Sequence, residues 1–116
     1  MNYAAFDYET SVYIAKTTEE SKILTELYKV WRTKTKQTGV DYVRLYEAIA
    51  GNSHASGKLL NAIYQKHSVA DGFNVVILLS LSKNPSVSDT VRENLDWIAQ
   101  SPLFPNFIRY ELMVSS

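Results

Sequence analysis

The most regular alternation of apolar and polar positions lies between residues 17 and 39. Ile23, Leu24, Leu27, Val30 and Trp31 recur at i, i+1, i+4, i+7 and i+8, which is one stripe of an amphipathic helix. Thr17-Thr18-Glu19-Glu20 ahead of it has the form of a capping box, with Thr17 as N-cap and Glu20 reaching back. Gly39 supplies the residue best suited to a left-handed helix end. A second helix is predicted over 41–50, with Tyr42, Tyr46 and Ile49 on one side and Gly51 as its stop. Residues 51–57 are small and polar and read as a loop or frayed start, followed by a third helix over 57–67 that buries Leu59, Leu60 and Ile63. Asp71-Gly72 is a turn signal. Ser86 or Ser88 caps a further helix carrying Val91, Leu95 and Ile98, ended by Pro102.

Three segments read as strands. Ala4, Phe6, Tyr8, Val12 and Ile14 share one parity over residues 3–14. Residues 74–82 form an apolar run without a period, and its three β-branched residues favour strand over buried helix. Ile108, Tyr110, Leu112 and Val114 alternate with Arg109 and Glu111 in the cleanest period of two. The short apolar end, with Phe104 and Phe107 before it, serves the core or an oligomer contact. The resulting order, β-ααα-β-α-β, predicts an α+β fold: a helix-dominated single domain over 1–116 with a small sheet. The alternative is a mainly-α bundle.

Composition narrows the possible chemistry. The chain has 116 residues, enough for one core, and no cysteine. That excludes a disulfide framework, thiol catalysis, iron–sulfur clusters and Cys-type zinc sites. No basic segment followed by an apolar run opens the chain, and the longest apolar stretch, Val75-Val76-Ile77-Leu78-Leu79, is far short of the ~20 residues of a membrane helix. A cytoplasmic protein without a membrane partner is expected. The formal net charge is zero, yet it is unevenly spread. Residues 28–67 hold seven cations against two acids, a net +5, while 1–27 and 68–116 are net −3 and −2. Such a cluster attracts phosphate or an acidic partner even when the whole chain is neutral.

The candidate surface follows from this polarity. Lys22, Lys29 and Lys36 are seven apart and Arg32 is three beyond Lys29, so they share a flank of the first long helix. Arg44, Lys58 and Lys66 add charge from the next two helices. Lys29, Arg32, Lys36, Arg44, Lys58 and Lys66 are the expected phosphate contacts, and Tyr28 or Tyr46 the expected stacking partner for an unpaired base. Against this stands a plain solvated helix face, with Glu26 pairing Lys29 at i, i+3.

Gly51-Asn-Ser-His-Ala-Ser-Gly57-Lys58-Leu59 superficially has the form of a phosphate-binding loop. The true motif has four residues between its glycines and Ser or Thr after the lysine; here there are five, then Leu59. Nucleotide hydrolysis is excluded on that ground. The N–H groups that open the third helix, beside Lys58, are left as a seat for one backbone phosphate.

Ala5-Phe6-Asp7-Tyr8-Glu9-Thr10 resembles the first motif of the DEDD exonuclease family, a strand carrying Phe-Asp-x-Glu-Thr. The resemblance implies that Asp7 and Glu9 hold a catalytic divalent metal, and two carboxylates at i, i+2 do share one face of a strand. It covers six residues. The family's His-based motif has four intervening residues where His67-Ser-Val-Ala-Asp71 has three. His54 and His67 are thirteen apart and lack a third ligand in register, so no metal or other cofactor is expected.

The leading expectation is a small non-catalytic nucleic-acid-binding or accessory subunit, its acidic ends available to neighbouring basic subunits. Small helical subunits of CRISPR effector complexes are similar in size and charge alone. The second reading is a protein-interaction module, such as an adaptor, immunity or viral inhibitor protein, that captures an acidic partner with the same residues. The third is the metal-dependent nuclease.

Overall fold

The computed structural model describes residues 3–40, 42–66 and 75–102, together with positions 106, 109, 110 and 113. Among the described residues a 3₁₀ turn at Tyr3–Ala5 is followed by six bounded helices: α1 (Tyr8–Thr17), α2 (Ser21–Thr38), α3 (Val43–Ala50), α4 (Gly57–Gln65), α5 (Val75–Lys83) and α6 (Asp89–Gln100). No strand occurs among the described residues, so the expected α+β fold with a small sheet is overturned in favour of an all-helical packing.

The first two strand expectations fail for physical reasons, and the third fails at the positions described. Residues 3–14 carry an apolar period of two only loosely. Val12 and Ala15 are buried on one face with Ser11, the spacing of a helix. Asp7 starts that helix as N-cap, its carboxylate accepting from the Thr10 N–H at 2.8 Å. The run 74–82, whose Asn74 lies outside the described residues, forms α5. Its apolar surround suits a helix covered by α3, α4 and α6, with Ile77, Leu78 and Leu81 buried. In the C-terminal alternation Arg109 and Tyr110 have helical backbone, as do Asn106 and Met113; Phe104, Phe107, Ile108, Glu111, Leu112 and Val114 lie outside the described residues. With the first two segments helical, no strand among the described residues is left to pair with Arg109 and Tyr110.

The long helix α2 begins later than its apparent capping box. Thr17 is the last residue of α1 and donates its hydroxyl to the Tyr13 carbonyl, so it lacks the extended backbone of an N-cap. Thr18 instead accepts from the Glu20 N–H, and Glu20 occupies the N-cap without a side-chain bond. At the other end Gly39 adopts φ 74°, and its N–H donates to the Thr35 carbonyl. Ser88 is the cap of α6, donated to by Val91 N–H, and Ser101 ends it just before Pro102. The Asp71-Gly72 turn lies outside the described residues.

The core is organised around α3, which packs against α1, α2, α4 and α5. Leu45, Tyr46 and Ile49 on α3 are fully buried with Leu24 and Leu27 of α2, Leu60 and Ile63 of α4, and Leu81 of α5. Each such side chain contributes about 1.5–3 kcal/mol by leaving water. Polar groups bind the helix ends where apolar contact is missing. Buried Asn52 donates to the carbonyls of Ala15 and Thr18. Buried Asn84 donates to those of Ala50 and Asn52 and accepts from the Ser86 N–H. Two carboxamides thus join the ends of α1, α3 and α5 to the start of the segment that carries α4.

Candidate functional site

The predicted cationic surface divides into separate places. On α2, Thr25, Lys29, Arg32 and Lys36 follow at i, i+4, i+7 and i+11, one flank of the helix beside its buried stripe of Leu24, Leu27 and Trp31. On α4, Lys58 and Ala62 are four apart and face the same way. The flank and this side of α4 enclose a groove of about 330 Å³ lined by Thr25, Tyr28 and Lys29 from α2 and Ser56, Lys58, Leu59 and Ala62 from α4. Tyr28, Lys29 and Lys58 are therefore brought together.

Local structure sets each group. Ser56 is the N-cap of α4, its Oγ accepting from the Leu59 N–H and its carbonyl from the Leu60 N–H. The N–H groups of Gly57 and Lys58, in the first turn, have no acceptor within the helix, so its positive end lies at the groove. Gly57 sits against the Ser86 backbone, where an added Cβ would be 3.6 Å from the carbonyl oxygen. Tyr28 is half-buried and packs edge-on to Tyr46, with ring centroids 5.6 Å apart. Tyr46 is itself fully buried and shares a 2.8 Å hydrogen bond with Thr35. This corrects one expectation: Tyr46 is a support behind Tyr28 and does not present a ring to a ligand.

Lys29 reaches solvent, its side chain 68% exposed, and Glu26 approaches it at 3.8 Å. Between solvated groups at that distance the pair adds little stability. Arg32 is half-buried and Lys36 exposed farther along the same flank. Lys66 is the half-buried C-cap residue of α4.

Arg44 belongs elsewhere. Its guanidinium holds both oxygens of Glu9, at 2.6 and 3.1 Å, and lies over the Tyr8 ring. The Arg44 guanidinium holds the Glu9 carboxyl below its ordinary range, and Glu9 raises the Arg44 value in turn. Arg44 lines a second groove, about 300 Å³, with Lys16, Glu47 and Asn52, and shares no lining residue with the first. Lys34 faces away from the cationic flank: its ammonium donates to the Ala4 carbonyl and sits 4.1 Å from the Trp31 ring centre.

Asp7 and Glu9, the residues that the exonuclease resemblance would place on a metal, stand on a helix start rather than a strand. Hydrogen bonding from Thr10, by side chain and backbone, lowers the Asp7 value. Among the described residues no group of three or more His, Asp or Glu is placed to hold a metal ion. Asp41, His67 and Asp71 lie outside them. His54 is exposed, its backbone N–H donating to the Asn52 carboxamide oxygen.

Sequence reasoning missed Ser56 as the α4 cap and the apolar groove lining of Leu59 and Ala62. The cap was legible, since Ser before a helix with an apolar residue three on is a start signal. The lining was not, because it exists only where α4 lies beside α2. The fold and the groove together define a small chain, helical with no strand among its described residues, that carries a cationic groove. Among its described residues no helix is long and apolar enough to cross a membrane. No known protein family, characterised protein or solved structure matches the chain.

Proposed function

We propose that this chain is a small, non-catalytic, nucleic-acid-binding or accessory subunit of the cytoplasm, contacting phosphates with the α2–α4 groove and the adjoining flank of α2. The observation that carries the reading is the convergence of Lys29, Lys58 and Tyr28 on one groove with no carboxylate in its lining. Two neighbouring grooves hold Glu47, or Glu20 and Glu26, beside their cations, and a third has Lys34 alone. Arg32 and Lys36 extend the cationic flank, and the start of α4 adds partial positive charge. Binding rather than catalysis is favoured because Asp7 and Glu9 are engaged as a helix cap and an ion pair.

Anisotropy of labelled DNA and RNA, titrated at low and physiological salt, tests this against a Lys29→Glu/Lys58→Glu variant. Binding that weakens with salt and is lost in the variant supports the reading. Absence of binding at low salt would overturn it and turn the search to an acidic protein partner.

A further inference from the structure

We infer that the α2–α4 groove takes a single strand, seating one unstacked base against Tyr28 and Ala62 with the flanking phosphate between Lys29 and Lys58. This rests on the nucleic-acid reading above and narrows its ligand.

The groove joins two kinds of chemistry. Half-buried Tyr28, Ala62 and the largely buried Leu59 give the groove its apolar lining, while exposed Lys29 and Lys58 come from the two helices that enclose it. A duplex shows phosphates outward and keeps its base faces stacked, so it has nothing to place against an apolar lining. Proteins that read duplex DNA project a convex element, such as a helix, into the major groove; Tyr28, Lys29 and Lys58 line a concave groove. An aromatic ring between cations is the arrangement that binds single strands, because every base has a face to stack. The volume of about 330 Å³ is at the small end of ligand sites and suits one base with its sugar.

Tyr28 is held for this role. Its ring lies T-shaped against that of Tyr46, which is fixed by burial and by its bond to Thr35. A ring ordered in advance loses little entropy when a base stacks on it.

The test compares four labelled ligands of equal length at one salt concentration: oligo(dT), oligo(U), a mixed-sequence duplex and an abasic deoxyribose-phosphate chain. Oligo(dT) or oligo(U) is expected to bind about tenfold tighter than the abasic chain, and tighter than the duplex. Tyr28→Ala is expected to lose that tenfold while Tyr28→Phe keeps it. The abasic comparison uses the unaltered chain, so it decides the matter even if Tyr28→Ala does not fold. Equal affinity for oligo(dT), oligo(U) and the abasic chain, or a duplex bound as tightly as a single strand, overturns the single-strand assignment and leaves phosphate binding intact. No binding of any of the four overturns both.

Discussion

Asn84 donates from its carboxamide to the backbone carbonyl of Asn52 at 2.9 Å, while Asn52 uses its own carboxamide on the end of α1. The pair transmits the position of α1 and α3 to the turn before α6, and the Arg92 guanidinium closes the set on the Asn84 carbonyl at 2.9 Å. Residues 52–56 lead directly to the α4 cap, so this network also sets one wall of the candidate groove.

Asn84→Ala is expected to lower unfolding free energy by about 2–4 kcal/mol, since the Ala50 and Asn52 carbonyls and the Ser86 N–H lose their partner in a site only 1% exposed. Urea unfolding followed by circular dichroism measures it. Asn84→Asp should be worse, because it turns a donor into a charged acceptor facing two carbonyls.

Two glycines should respond with opposite signs. Gly39 has φ 74° with open space around it, so Gly39→Ala is strained by backbone alone and should cost about 1 kcal/mol. Gly51 has helical φ −86°, and an added Cβ would meet the Glu47 carbonyl at an ordinary 3.4 Å. Gly51→Ala should therefore be neutral or gain up to about 0.5 kcal/mol by restricting the unfolded chain. Thermal unfolding of the two variants side by side checks the contrast.

Acid should loosen the first helix. Asp7 and Glu9 have values below their ordinary ones, Asp7 through Thr10 and Glu9 through Arg44. Their contribution is complete above the unfolded carboxylate range, about pH 4–4.5, and is lost as pH falls through the lowered folded values. An Asp7→Asn/Glu9→Gln variant is expected to show a flatter acid limb in stability against pH, with the Asn cap retained. A limb as steep as that of the unaltered chain would show that other carboxyls set it.

Charge removal should act by place rather than by sum. Lys29→Gln/Lys58→Gln is expected to reduce the slope of log affinity against log salt on a single strand by about 0.7, the one phosphate that the two lysines share. Arg44→Gln should leave that slope unchanged, since Arg44 is paired with Glu9 and lines a different groove. A salt titration of both variants separates a localised groove from a diffuse basic surface.

Much of the local structure was legible in the chain. The stripe Leu24, Leu27, Trp31, the left-handed end at Gly39 and the Ser88 cap are each readable because a helix end or face is set by residues within one or two turns. The strand readings failed where that local code is degenerate. A loose parity around Phe6 and Tyr8, or an aperiodic run such as Val75–Leu79, is compatible with either state, and the outcome depends on whether a neighbouring strand exists to share backbone hydrogen bonds.

The candidate site divides along the same line. By itself the sequence determined the helix faces, the concentration of cations in residues 28–67 and the flank shared by Lys29, Arg32 and Lys36, because charge content and helical period are properties of the chain. Only tertiary packing decided that Lys58 joins Lys29 across a groove, that Glu9 takes Arg44, and that Tyr46 is buried behind Tyr28. Those pairings join residues far apart in the chain, and the packing of α3 against its neighbours, not a sequence period, brings them within reach.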